Sequence, residues 1–386
     1  MSLRLLIKQF GLLTLALLVS FQVVSASEEH AKEDESFNPS EFILDHIKDS
    51  HEWHVITKED GHHVSIPLPI IVYSKNSGLN AFMSTKLAHG HIYKGFQIQH
   101  EGPYAGKIIE VGEDFHAEHQ QAKEEHAHED HAVEASEAHT EESDHQAHSE
   151  DEVYLPLDFS ITKNVAMMFL AALIMLVLFL SVARAYKKQG ISEPRGLQGF
   201  IEPIILFVQN DIAIPNIGED KHHKFMPYLL TVFFFIFLNN IMGLIPFPPF
   251  GANVTGNIAV TFVLAFITFL ITQFSGNKNY WRHIFATPGV PLWLLPIMIP
   301  VEIIGMISKP FALMVRLFAN ITAGHIIVLS LVSLIFIFKA MWVSAVSVPF
   351  TLFMDVLELL VAFIQAYVFT LLSALFIGLA VVDDHH

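Results

Sequence analysis

Residues 301–338 read VEIIGMISKPFALMVRLFANITAGHIIVLSLVSLIFIF, and residues 346–382 read VSVPFTLFMDVLELLVAFIQAYVFTLLSALFIGLAVV. At about 1.5 Å per residue each makes on the order of 55 Å of helix, against roughly 30 Å of bilayer hydrocarbon. Two such helices must tilt steeply, break, or lie partly along the membrane plane. They carry nearly all of the polar groups at membrane depth: Glu302, Lys309, Arg316, Asn320, His325, Asp355, Glu358 and Gln365. Such groups are costly in lipid, so they face a protein partner or a water-filled cavity and mark an ion path.

Working outward, the rest of the chain fits a membrane protein. Of 386 residues 52% are hydrophobic and only 16% charged, too apolar for an ordinary soluble domain. The formal net charge of -17 is concentrated in the first half. Residues 225–245 and 258–274 predict a helical hairpin whose inner flanks carry Lys221, Lys224, Lys278 and Arg282, and whose outer turn is uncharged. Residues 165–183 predict another span, followed at once by Arg184, Lys187 and Lys188. Basic flanks mark the cytoplasmic side, so the N-terminal region is expected to be exported. Residues 200–217, broken by Glu202, Pro203, Asp211 and Pro215, read as too interrupted to span and as a helix at the cytoplasmic surface. Residues 284–300, with prolines at 288, 291, 296 and 300, read as an interfacial or re-entrant connection.

The N-terminal third is different. Residues 1–26 combine Arg4 and Lys8, an apolar run and a Val24-Ser25-Ala26 ending, the pattern of a secretory signal peptide; a first membrane span is the alternative. Residues 27–111 read as a small exported domain of mixed or β character, with one helix near residues 42–48. Residues 112–152 hold 15 acids, eight histidines and one lysine, a composition that cannot bury a core. Histidines 116–148 could ligate zinc or copper, but their irregular spacing favours a solvated linker. Residues 153–386 are then the membrane domain. The expected fold is an all-α polytopic membrane protein with about five membrane helices, the last two very long and steeply tilted, plus this small N-terminal domain.

The chemistry lies in the last two helices. Arg316 cannot deprotonate, so it is a fixed cation that attracts a carboxylate and repels a travelling proton. A salt bridge inside the chain to Glu302 or Glu358 is the bland alternative, though Glu302 lies roughly 21 Å away along the same helix. Asn320 falls near the Arg316 face, and His325 points to the opposite side. Asp355, Glu358 and Gln365 form a polar stripe on the other helix. A buried histidine and glutamate bracket neutral pH, which suits a proton relay.

Residues 308–325, with Arg-Leu-Phe-Ala-Asn-Ile-Thr-Ala-Gly-His, resemble the most diagnostic segment of subunit a of F-type ATP synthases. Asn240-Ile241-Met242-Gly243-Leu244-Ile245-Pro246, the turn Asn253-Val254-Thr255-Gly256-Asn257, and Gln365 are also similar to that family. The resemblance covers roughly residues 155–382. It implies a proton-conducting stator in which Arg316 faces the carboxylate of each ring subunit c. It also implies that Asn320, His325, Glu358 and Gln365 line the inlet half-channel, and that Glu302 and Ser308 lie near the cytoplasmic exit. His325 and Glu358 stand in the exchanged arrangement that some members show. Asp355 has no counterpart in the matched pattern. The implied partners are the c ring, peripheral-stalk subunit b, the rest of the synthase and the lipid bilayer of a bacterial inner membrane, with no nucleic acid and no cofactor.

Two rivals remain to be weighed. An ion-coupled secondary transporter should show repeated halves, and none is visible. A metalloprotease or metal importer would need a motif such as His-Glu-x-x-His, which does not occur. There is no cysteine for a thiolate site and no phosphate-binding Gly-x-x-x-x-Gly-Lys loop, so nucleotide chemistry is expected on partner subunits.

Overall fold

A computed structural model describes residues 39–57, 63–99, 104–111, 154–189, 196–245, 249–285, 291 and 293–381. The expected signal segment 1–26 and the histidine-rich tract 112–152 lie outside the described residues. The chain divides into two compact units, one running through residues 50–54 and 65–163, the other holding residues 55–64 and 164–386 and the short α1 (Pro39–Ile47).

β1 (Glu52–Thr57) pairs with β2 (His63–Pro67), while in the smaller unit β3 (Pro69–Ser74) is the centre of a second, antiparallel sheet. Alternation along β3 turns Ile70, Val72 and Ser74 inward, where the apolar pair packs with Leu87, Phe96 and Ile108. The hairpin to β4 (Gly78–Met83) closes at Gly78, whose φ of 71° suits glycine at the end of a three-residue loop. A further pair joins β5 (Phe96–Ile98) to β6 (Ile108–Glu110). The third strand beside β3 is β7 (Leu157–Asp158), from the far side of the histidine-rich tract. The expected boundary at residue 111 therefore differs from the structure: residues 154–163 complete this sheet rather than opening the membrane domain.

The larger unit is helical. Among the described residues six helices are long and apolar enough to cross a membrane, one more than the five or so expected. The first, α2 (Lys163–Gln189), exposes Phe169, Leu173, Leu176 and Val177, as a lipid-facing helix does. The additional one is α3 (Leu197–Ile217), which runs unbroken through Pro203 with one π-type segment from Val208 to Ala213. The interruption expected there is absorbed by that wider turn, which relieves the i→i−4 ladder without ending the helix.

The most buried helix is α4 (His222–Gly243), whose Leu229, Val232, Phe233, Phe234 and Ile236 form the heart of the core. It turns into α5 (Ile258–Ser275) through an asparagine-rich corner. Thr255 Oγ1 donates to Asn240 Oδ1 at 2.5 Å, and Asn257 caps α5 by accepting the Ala259 N–H at 2.9 Å. A short α6 (Lys278–Phe285) follows.

The last two helices are longer than expected: α7 (Leu295–Phe338) has 44 residues and α8 (Met341–Val381) has 41. The connection predicted over residues 284–300 ends at residue 294, because Pro296 sits in the first turn of α7, where its missing N–H has no helical partner to lose. Pro300 and Pro310 lie within α7, and Pro349 within α8. At about 1.5 Å per residue the two helices extend roughly 66 and 62 Å, about twice the hydrocarbon thickness.

Lys339, at φ 44° in the left-handed region, ends α7 and lets the chain double back within two residues. The hairpin is antiparallel along its length. Lys309 Nζ lies 5.7 Å from the Phe376 ring centroid, Asn320 meets Gln365, His325 meets Glu358, and Ser347 Oγ donates to Leu331 O. The far end of α8 is held by α4 and by the α5–α6 corner: Lys221 Nζ donates to Val381 O at 2.8 Å, and the Asn277 N–H to Ala380 O at 2.9 Å. These donors satisfy carbonyls that a helix C-terminus leaves open, and a cation there suits the helix dipole. The basic residues of α4 and α6 thus lie on the same side as the end of α8.

Candidate functional site

The seam between α7 and α8 holds a buried polar column. On α8 the buried positions recur at helical spacing, and among them are Ser347, Thr351, Asp355, Glu358 and Gln365. From Ser347 to Gln365 the column rises about 27 Å, most of a bilayer's hydrocarbon. Glu358 is 7% exposed, Asp355 8% and Gln365 2%, so none of these groups is open to bulk solvent within the chain.

Two contacts tie this column to α7. His325 Nδ1 lies 2.9 Å from Glu358 Oε1 and 3.2 Å from Ile321 O. Asn320 Nδ2 donates to Gln365 Oε1 at 2.9 Å. The first juxtaposes two titratable groups; the second fixes an amide pair on the same seam. Asp355 stands one turn before Glu358 on the same face and makes no hydrogen bond among the described residues.

Two glycines make the histidine–glutamate contact possible. A Cβ on Gly324 would fall 2.7 Å from Glu358 Oε1, and one on Gly243 would stand 3.2 Å from Ala252 O and 3.9 Å from His325 Nε2. Sequence reading quoted both within its motifs yet gave neither a role, and it passed over Ser347 and Thr351. The available signals were a glycine costly inside an apolar helix and hydroxyls in register with Asp355.

Arg316 lies outside the column. It is exposed, on the face of α7 that also presents Ser308, Ala312, Ala319 and Ala323. Among the described residues no acid lies within ion-pair distance of it, so the salt bridge to Glu302 or Glu358 is not formed. Small residues let a second helix approach closely, and between them this face also presents exposed Lys309, Asn320 and Ile327 alongside the permanent cation of Arg316. Arg316 is one helical turn from Asn320, hence about 6 Å along the axis from the end of the column.

Toward the other end of α7, Glu302 is partly buried, and Ser308 Oγ donates to Gly305 O at 3.0 Å. Tyr280 on α6 lies within hydrogen-bonding distance of Gln273, 3.2 Å from its Nε2. Burial pushes the Tyr280 phenol above its usual range, and the Glu302 charge adds to that rise. A cavity of about 20 Å³, lined by Thr272, Gln273, Tyr280, Lys309 and Phe376 among others, lies here. It has room for about one water. Glu302 and Ser308 are thus far from the column, separated from it by the Arg316 level of α7.

Residues 165–378 match the family model for the ATP synthase A chain, more than half of the chain. The chain belongs to the ATP synthase A chain family. Among its relatives, the ATP synthase subunit a 2 of Chlorobaculum tepidum is 51% identical over 61% of this chain and 69% of its own length. The ATP synthase subunit a of Chloroherpeton thalassium is 48% identical over 59% of this chain and 69% of the relative. That of Myxococcus xanthus is 48% identical over 60% and 76%. Residues 42–159 match a separate domain of unknown function, DUF8433. The A-chain match begins inside α2 and ends inside α8, so it takes in the whole polar column, whereas the DUF8433 match takes in the sheet of the smaller unit through β7. As a member of this family with six membrane-capable helices, the chain is a multi-pass membrane protein.

Among the described residues no group of three or more histidine or acidic side chains is placed to hold a metal ion. The histidines at 116–148 lie outside the described residues.

Proposed function

We propose that this chain is the proton-conducting stator subunit of an F-type ATP synthase, working in a bacterial inner membrane against a ring of subunit c and held by peripheral-stalk subunit b. On its own it catalyses nothing; nucleotide chemistry belongs to its partners. Protons from the exported side move along the seam past Asp355 and Glu358, exchange with His325, and are delivered beside Gln365 and Asn320 to a ring carboxylate. After nearly a full turn the carboxylate reaches the Glu302 and Ser308 side and releases its proton toward the cytoplasm.

Arg316 keeps the two half-paths separate. A proton cannot pass a fixed cation cheaply, and a deprotonated ring carboxylate is drawn to it. Each charge crossing about 100 mV carries roughly 2.3 kcal/mol, so rotation must gather several protons per ATP. The N-terminal region is exported and the C-terminus cytoplasmic, a topology supported by the lysine and arginine residues gathered at the end of α8.

The observation that carries this reading is exposed Arg316, with no acid of the described residues within ion-pair distance, one turn from the end of a buried polar column. Arg316→Ala in the assembled complex is expected to abolish gradient-driven ATP synthesis, with the ring still co-purifying. Retained synthesis would remove Arg316 from the mechanism. A cross-link between cysteines placed at Ala312 or Ala319 and on the ring helix tests the same face; absence of any such product across the ring helix would place the rotor elsewhere.

A further inference from the structure

Arg316 does not stand alone as a charge on its face of α7. Glu302, Lys309 and Arg316 recur at intervals of seven residues, so each is turned only about 20° from the next and lies about 10.5 Å farther along the axis. The order is an acid and then two cations, running toward the polar column. Lys309 is exposed, and among the described residues no acid lies within ion-pair distance of it. A lysine at membrane depth is costly unless it meets an anion or water.

Lys309 leans over the Phe376 ring and borders the cavity of about 20 Å³ together with Thr272, Gln273 and Tyr280. Met306 and Pro310 line the same cavity. Pro310 has no N–H, so the Met306 carbonyl four residues earlier lacks its helical donor. An ammonium, a phenol, an amide and an open carbonyl are the kind of partners that one water needs. No carboxylate enters from the neighbouring spans, because α5 carries no charged residue and α8 carries none after Glu358. The remaining charged or titratable groups of this end are Glu302 and Arg316 on α7 and Tyr280 on α6, whose Lys278, Arg282 and His283 do not line the cavity.

The two sides of Arg316 therefore differ. On the column side a ring carboxyl meets one cation and the Asn320–Gln365 amides, with His325 and Glu358 beyond. On the other side it meets a second cation and space for water, with Glu302 beyond. A nearby cation favours a carboxylate over its neutral acid, so a proton is held better on the column side and let go on the Lys309 side. Arg316 acts on both sides alike and cannot create that difference.

We infer that Lys309 drives proton release at the outlet, its ammonium favouring the carboxylate form of the ring group that reaches it. The O–H bond of the ring carboxyl breaks, its electron pair stays on the carboxylate, and the proton passes to water on the Glu302 side. Lys309 stays protonated, and nothing is oxidised or reduced. The inference rests on the rotor face proposed for Arg316, and adds what distinguishes the outlet from the inlet.

The test uses the holoenzyme in vesicles with the membrane potential clamped by potassium and valinomycin. ATP synthesis is followed as the cytoplasmic-side pH is lowered and the other side is held constant. Lys309→Gln and Lys309→Met remove the charge; rates are normalised to assembled complex and compared with the parent at each pH, so the changing gradient cancels. One charge at roughly 10 Å across protein shifts a carboxyl by on the order of one pH unit. Both neutral variants are therefore expected to lose synthesis at a cytoplasmic pH about one unit higher than the parent. Lys309→Arg should keep the parental curve, and the dependence on exported-side pH should stay parental in all variants. A parental curve in both neutral variants overturns the inference. So does an equal loss at every pH, the signature of lost packing on Phe376, and so does a Lys309→Arg curve shifted like the neutral ones. Arg316→Ala separates this inference from the stator reading. If it abolishes synthesis while the neutral variants keep the parental curve, Lys309 alone leaves the mechanism; if it leaves synthesis intact, the rotor face and this inference fall together.

Discussion

Replacing Gly324 by alanine tests whether the His325–Glu358 contact carries protons. The new methyl would lie 2.7 Å from Glu358 Oε1, 3.0 Å from its Cδ and 3.3 Å from its Cγ. Carbon and oxygen are normally at least about 3.4 Å apart, so the carboxylate must retreat by roughly 0.7 Å or turn away. A hydrogen bond to a charged group contributes about 1.5–3 kcal/mol; losing it from the transfer step slows that step on the order of 10- to 100-fold. Helix propensity pulls the other way, since alanine is favoured over glycine by about 1 kcal/mol in a helix interior. Unchanged or raised stability combined with slowed conduction therefore separates a proton-path effect from a folding defect. The assay is gradient-driven ATP synthesis and ATP-driven proton pumping in reconstituted vesicles, normalised to assembled complex. Conduction by Gly324→Ala at the parental rate would refute the claim that protons pass through this contact.

Further outcomes follow from the same geometry. Glu358→Gln and His325→Ala should each slow conduction and shift its pH dependence in reconstituted vesicles, and parental profiles would reduce the pair to packing. Gln365→Leu leaves Asn320 Nδ2 without its acceptor, and should lower synthesis with the complex intact; parental rates would take the amide pair out of the path. Gly378→Ala would put a Cβ 1.9 Å from the backbone oxygen of Asn216, which neither helix can yield cheaply, so assembled subunit should fall sharply on immunoblots while Gly305→Ala, with nothing within 4 Å inside the chain, leaves its amount unchanged. In the smaller unit burial raises the Asp158 carboxyl, but hydrogen bonds from His51 and Ser160 outweigh it and hold the group below its ordinary 3.8. Its stabilisation is then full above about pH 4 and lost as pH falls below that value; proteolysis of residues 50–163 should rise on acidification, and Asp158→Asn should blunt the change.

Much of the membrane part was legible because helical periodicity and lipid exposure are local properties. The length of the apolar runs required membrane helices, and the spacing of Asp355, Glu358 and Gln365 put those groups on one face before any partner was known. Family motifs marked Arg316, Asn320 and His325. The structure lengthened α7 through Pro296 and Pro300 and kept α3 unbroken, because a proline in a first turn loses little and a π-type segment absorbs strain.

What the sequence determined alone is therefore the lipid-depth composition of each helix and the angular position of each polar group around its own axis. Tertiary structure decided which of those faces meet. His325 finds Glu358, and Asn320 finds Gln365 45 residues away, only because α7 and α8 double back at Lys339 and are fixed in rotation by the packing of α4. The same rotation leaves Arg316 facing outward without an acid, and β7 reaches β3 across the whole histidine-rich tract. Pairings of this kind depend on side chains of several elements filling one space together, and no repeat along a single segment encodes them.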